Sequence, residues 1–257
     1  MNGRRVRVRR ERPTAVAWAL ALAVTMLAVY VLTLTAALPD PAAQTAAAPR
    51  VARALTLPPL NGWCVTLGGY PTPAAARMAA AGCAGSGAAG IVHRWEDGWH
   101  VLGALYVSEK QARRVAKRLR ESAAVDAGIL PLSADEVRLR VTAPEDTIEA
   151  MAEAAALLKA QAERLQDLAG QLDRGTLQPE AARSLCALSA TEADSLTARL
   201  AVRSDGLCAD LAQALARLSG HLSDIAQGKP ADLSAMLRRA ALDDFLQLLT
   251  LQEAAGR

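Results

Sequence analysis

Four cysteines and three histidines carry most of the chemistry this chain could offer: Cys64, Cys83, Cys186 and Cys208, with His93, His100 and His221. Nucleophilic catalysis needs a thiol or hydroxyl within hydrogen-bond reach of a positioned base. Cys64 and His100 fall on strands whose alternation can bring them to one face, but no neighbouring residue is identified to orient the histidine. The sequence has no glycine-rich phosphate loop, no paired catalytic carboxylates and no Cys-x-x-Cys, and its histidines are far apart. Neither an active site, a cofactor nor a metal centre is therefore expected. His93 and His221 have no identifiable partner. The even cysteine count splits into local pairs, Cys64–Cys83 and Cys186–Cys208, one of three possible connectivities. Four free buried thiols are the alternative.

The aromatic residues fall in a repeated pattern. Trp63-Cys64-Val65-Thr66-Leu67-Gly68-Gly69-Tyr70 reads as a strand and leads into a helix through Ala74–Ala81, with Pro73 in its first turn. Trp99-His100-Val101-Leu102-Gly103-Ala104-Leu105-Tyr106 repeats the strand, and Ser108 caps a second helix through about Arg120. Between them Ile91–Trp95 is a strand, joined to the next by Glu96-Asp97-Gly98, a strong hairpin cue. Ala127–Leu132 supplies a fourth strand, and 136–142 extends or follows it. The expected order is β-α-β-β-α-β, a ferredoxin-like split arrangement with both helices on one face of the sheet. Alternation groups Trp63, Val65, Leu67 and Val101 beneath the helices and Thr66, His100 and Leu102 on the opposite face.

After Pro144 the pattern turns helical. Ile148, Met151, Ala155, Leu158, Ala162, Leu165, Ala169 and Leu172 recur in steps of three and four, as do Leu211, Leu215, Leu218, Leu222 and Ile225. Residues 179–200 form one helix, or two broken near Ala190-Thr191. Gly228-Lys229-Pro230 is a stop, and 232–251 forms a last helix. Gly and Pro interrupt the seam, so an antiparallel bundle over 142–257 is expected rather than a long coiled coil.

The N-terminus sets the compartment. Arg4, Arg5, Arg7, Arg9, Arg10 and Arg12 make a basic stub over 1–13, and 14–38 contains no charged side chain. That length crosses a hydrocarbon core as a transmembrane helix, and the basic flank keeps the N-terminus cytoplasmic. A cleaved signal peptide is the competing reading. The Pro/Ala-rich stretch 39–60 reads as an extended linker ahead of a domain at 61–141. Six of the 29 basic and one of the 26 acidic residues precede the span, leaving 23 against 25 beyond it. The ectodomain thus has no excess of positive charge for nucleic acid. Lys110, Arg113, Arg114, Lys117, Arg118 and Arg120 surround an apolar stripe of Ala112, Val115, Ala116 and Leu119, the pattern of a solvated helix face.

The two aromatic strands, in order and behind an anchor and linker, resemble the first and third strands of the SPOR domain family, over about residues 61–133. The resemblance implies a single-pass membrane protein of bacterial cell division or sporulation. Its sheet face opposite the helices would bind peptidoglycan glycan strands and catalyse nothing. Thr66, Gly69, Trp95, Trp99, His100 and Leu102 are the implied glycan-binding residues. Thr66 stands where the family often has Gln, and His100 and Leu102 where Arg is usual. These departures motivate a second expectation: an anchored interaction scaffold that has lost sugar and docks division or sporulation proteins through its C-terminal helices.

Overall fold

A computed structural model describes residues 49–95, 97–123, 125–201, 206–228 and 232–256. The expected stub 1–13 and transmembrane span 14–38 lie outside the described residues, as do Glu96, Lys229 and Pro230. Among the described residues no helix is long and apolar enough to cross a membrane.

The fold is α+β, with two antiparallel sheets and six α-helices among the described residues. β1 (Arg50–Leu57) opens it and β2 (Leu60–Tyr70) follows. Next come α1 (Pro73–Cys83), β3 (Ile91–Trp95), β4 (Gly98–Tyr106) and α2 (Glu109–Ala123). β5 (Gly128–Ala134) and β6 (Val137–Pro144) complete the strands. The helices α3 (Glu145–Asp173), α4 (Pro179–Leu200), α5 (Gly206–Gln227) and α6 (Leu233–Ala255) complete the chain.

The larger sheet has the strand order β3-β4-β2-β5, all neighbours antiparallel. Chain order through it is strand, helix, strand, strand, helix, strand, as the alternating patterns predicted. Gly98 takes φ 145° at the β3–β4 hairpin, where a side chain would be strained. The β2–β4 register shifts between Val65 and Thr66 and again before Gly69. Beneath α2, Val65 packs with Ala112, Ala116 and Ala127, flanked by Trp63, Leu67 and Tyr106. Trp63 is therefore core, on the same face as Val65 and Leu67.

Two expectations about organisation need correction. Residues 50–57 are not linker: they form β1, which pairs along its whole length with β6, from Arg50↔Pro144 to Leu57↔Val137. Its inward Leu55 and Leu57 are buried with Leu60 in the main core. Lys159 of α3 donates to the Pro59 carbonyl at 3.0 Å, and Gln252 of α6 donates to the Pro58 carbonyl at 2.5 Å. The proline pair between β1 and β2 is thus held by both inner helices. Nor do 61–141 and 142–257 separate, because residues 49–257 form one compact unit with a continuous core.

The four C-terminal helices form two layers. α3 and α6 pack on each other and on the sheets; α4 and α5 pack behind them. Just past the end of α3, Gly175 takes φ 68°, with the Gly175 N–H on the Leu172 carbonyl and the Thr176 N–H on the Gln171 carbonyl. That pair of bonds satisfies the last carbonyls and turns the chain. Pro179 then starts α4, which runs unbroken through Ala190 and Thr191. The Thr191 hydroxyl donates back to the Ala187 carbonyl at 3.2 Å, so its polar group is satisfied within the helix.

Candidate functional site

The sheet face turned away from α1 and α2 is the surface on which sugar binding was expected. Cys64, Leu102, Leu105 and Leu132 project from it, and all are buried in one cluster with the C-terminal helices. α6 crosses β4, β5 and β3, and α3 also touches β4. Gly62 marks how close the layers lie. A Cβ there would sit 2.8 Å from a Leu105 methyl and 3.0 Å from the Phe245 ring of α6.

The six expected glycan-binding residues therefore do not make one open groove. Leu102 is 1% exposed and faces the bundle. Thr66 is buried, and its Oγ1 accepts the Gly128 N–H at 3.1 Å, a cross-strand bond to β5. Trp95 packs against the bundle core, with the His93 ring tilted against it at 5.8 Å between centroids. His100 lies opposite His93, and its Nε2 meets Asp97 Oδ1 at 2.8 Å. Gly69 is exposed and pairs with His100. Trp99, one residue on from Gly98, stands on the other face beside Tyr70, with the Arg94 guanidinium 6.0 Å from its ring centre. Alternation placed Thr66, His100 and Leu102 on one face, the one the C-terminal helices cover, whereas Trp99, expected with them, lies on the other.

Catalysis by Cys64 and His100 finds no geometry. Asp97 does orient the histidine, a contact the sequence reading missed, and the His100 ring holds the Asp97 carboxyl below the usual range. Cys64, however, pairs with Leu105, whereas His100 pairs with Gly69, five residues further along β2. At about 3.3 Å per residue the two are well out of contact. Burial also pushes the Cys64 thiol up to about 12, so it stays protonated and inert.

The expected disulfides are not made. Cys64, Cys83 and Cys186 are free thiols. Cys64 faces the bundle, while Cys83 ends α1 on the opposite side of the sheet, so that pair is divided by the sheet itself. Cys186 is buried in α4, and the Cys208 thiol contacts the Leu200 carbonyl at 3.6 Å.

Between α1 and α2 an open cleft of about 790 Å³ runs over the sheet. Its floor includes Gly68, Gly103 and Ala104, which have little side chain to fill it, and Leu67, Val115 and Leu119 make it apolar. At one end Arg238 of α6 pairs with Asp173 and donates to the Gly87 carbonyl at 2.5 Å, tying the bundle to the loop after α1. Tyr106 also lines this cleft, its phenol pushed up by burial. The cleft has room for a small, largely apolar ligand.

Among the described residues one group has metal-ligating atoms close together: His221 of α5 with Asp243 and Asp244 of α6, all within 4.8 Å. No partner for His221 is legible in the sequence because both carboxylates arrive from the next helix. No protein-family model, curated protein or solved structure matches this chain.

Proposed function

We propose that this chain is a non-catalytic, membrane-anchored interaction protein of the bacterial cell envelope. In this reading a SPOR-like, ferredoxin-like sheet has given up its sugar-facing side to the protein's own C-terminal helices. One observation carries it: Cys64, Leu102 and Leu105 share a single buried core with α3 and α6. The order β3-β4-β2-β5, with α1 and α2 on one side, supports the family resemblance. The uncharged 14–38 segment behind six arginines supports the anchor. Partners, of the division or sporulation machinery, would meet the outer helices α4 and α5 or the rim of the sheet.

A glycan strand needs an open, polar, aromatic-lined surface, because sugar rings stack their C–H faces on indoles and hydrogen-bond through their hydroxyls. A packed interface of Leu and Phe offers neither. Full-length protein incubated with amidase-treated sacculi is expected to be retained no better than a control protein. Leu188→Arg, at an exposed leucine of α4, should impair its localisation, whereas Trp95→Ala should not. Strong retention on sacculi that Trp95→Ala abolishes would overturn the proposal.

A second reading, residual glycan contact at the sheet end, rests on Tyr70, Trp99 and Arg94 clustering beside exposed Gly69. Retention on sacculi that Trp99→Ala alone removes would select it.

A further inference from the structure

His221, Asp243 and Asp244 form a small polar centre between α5 and α6 in an otherwise apolar bundle. Their positions follow from helix geometry. Asp243 and Asp244 are consecutive on α6, so one can reach the surface while the other turns inward. The Asp243 side chain is 40% exposed and that of Asp244 is fully buried. His221 Nε2 lies 3.7 Å from Asp243 Oδ2, and Nδ1 lies 3.4 Å from Asp244 Oδ1.

The buried carboxylate is the anomaly. Neither oxygen of Asp244 accepts a hydrogen bond, and the approach of His221 Nδ1 is not aligned as one. A buried carboxylate without hydrogen bonds is costly, and it is normally neutralised, paired or bound to a cation.

We propose that His221, Asp243 and Asp244 bind a divalent transition-metal ion of the zinc class, bridging α5 and α6. One imidazole nitrogen and two carboxylates make a borderline donor set. It suits Zn²⁺ or Co²⁺ better than Mg²⁺, which prefers oxygen ligands and retains its water. Ligand distances of roughly 2.0–2.2 Å allow ligand atoms at most about 4.4 Å apart, so the present 4.8 Å limit closes with a small side-chain adjustment. Asp243 is half-exposed and its Oδ2 accepts from Gln247 Nε2 at 2.9 Å, a bond the ion would replace. Three protein ligands leave positions for water. The ion has a route in: Asp243 opens on a solvent-connected cavity of about 410 Å³, which Asp210 and Arg217 also line.

Thermal unfolding and Co²⁺ absorption of the full-length protein in detergent test the site. Added Zn²⁺ is expected to raise Tm in a concentration-dependent way, because an ion that binds only the folded state stabilises it. Co²⁺ should give visible d–d bands that Zn²⁺ displaces, while Mg²⁺ at the same concentration should do little. Asp243→Asn, at an exposed position that leaves the core intact, should weaken Zn²⁺ binding about tenfold or more. Asp244→Asn and His221→Gln should do the same. Co²⁺ bands or a Zn²⁺ shift that persist unchanged in Asp243→Asn would place the metal on other groups, such as Cys83, and overturn the proposal. No Zn²⁺ shift and no Co²⁺ bands in the unsubstituted protein would leave an acid–imidazole ion pair and overturn it equally.

Discussion

His93 stands opposite His100 on the covered face of the sheet, near Glu253 of α6. Burial lowers its pKa, the neighbouring His100 lowers it further, and Glu253 opposes both. A histidine whose folded pKa lies below its ordinary value of 6.5 favours folding in its neutral form. Its contribution is present above that value and is lost as pH falls through the lower folded pKa. The His93 contribution to stability should therefore fall on acidification below 6.5, and His93→Gln should remove that part of the pH dependence. Urea midpoints at several pH values check this; equal slopes in both proteins would remove His93 as the cause. Residue types and alternation made the faces of Thr66, His100 and Leu102 readable. Asp97 beside His100 and Asp244 beside His221 were not readable as partners. The first pairing depends on the hairpin's local geometry, and the second joins two helices.

At the scale of elements, the contact of β4 with the bundle decides what the sheet can do. Leu102 is a fully buried leucine at that seam, 1% exposed. Leu102→Ala removes its apolar surface and leaves a cavity, which costs about 2–5 kcal/mol for buried leucines. Chemical denaturation should show a loss in that range; a change below about 1 kcal/mol would mean the seam is loose or solvated. Most elements were legible because their patterns are local: period two in β2, β3 and β4, and steps of three and four in the helices. β1 was not. Only Leu55 and Leu57 are buried in Arg50–Leu57, and its partner β6 lies some eighty residues downstream. Strand pairing at that separation leaves no local trace. The Pro-rich flanks also favoured an extended linker, and an isolated strand is extended in the same way.

The whole folded unit, 49–257, has one main core that runs from Leu55 and Leu57 through the sheet to Leu248 and Leu249. Trp63, Trp95 and Trp99 report on the sheet, while the helical signal comes mainly from the bundle. A shared core predicts that tryptophan fluorescence and far-ultraviolet circular dichroism lose signal together in urea, in one cooperative transition. Two separated midpoints would mean that sheet and bundle are independent domains, as the sequence alone suggested. Under the proposed SPOR-like reading, burial of this face would account for Thr66 and Leu102 standing where that family often carries Gln and Arg. Residues packed under helices gain from being small or apolar, whereas those lining a sugar groove gain from amides and guanidinium groups.

The sequence by itself determined the classes and order of the elements other than β1, the two faces of the main sheet and the heptad-like stripes of the helices. All of these follow from periodicities of two and 3.6 that each segment carries internally. The tertiary structure alone decided which surfaces meet. It set α6 against the sheet face that would otherwise be open, paired Arg50–Leu57 with Val137–Pro144, and brought His221 to Asp243 and Asp244. An apolar stripe encodes that it will be buried but not against what, because hydrophobic burial is non-directional.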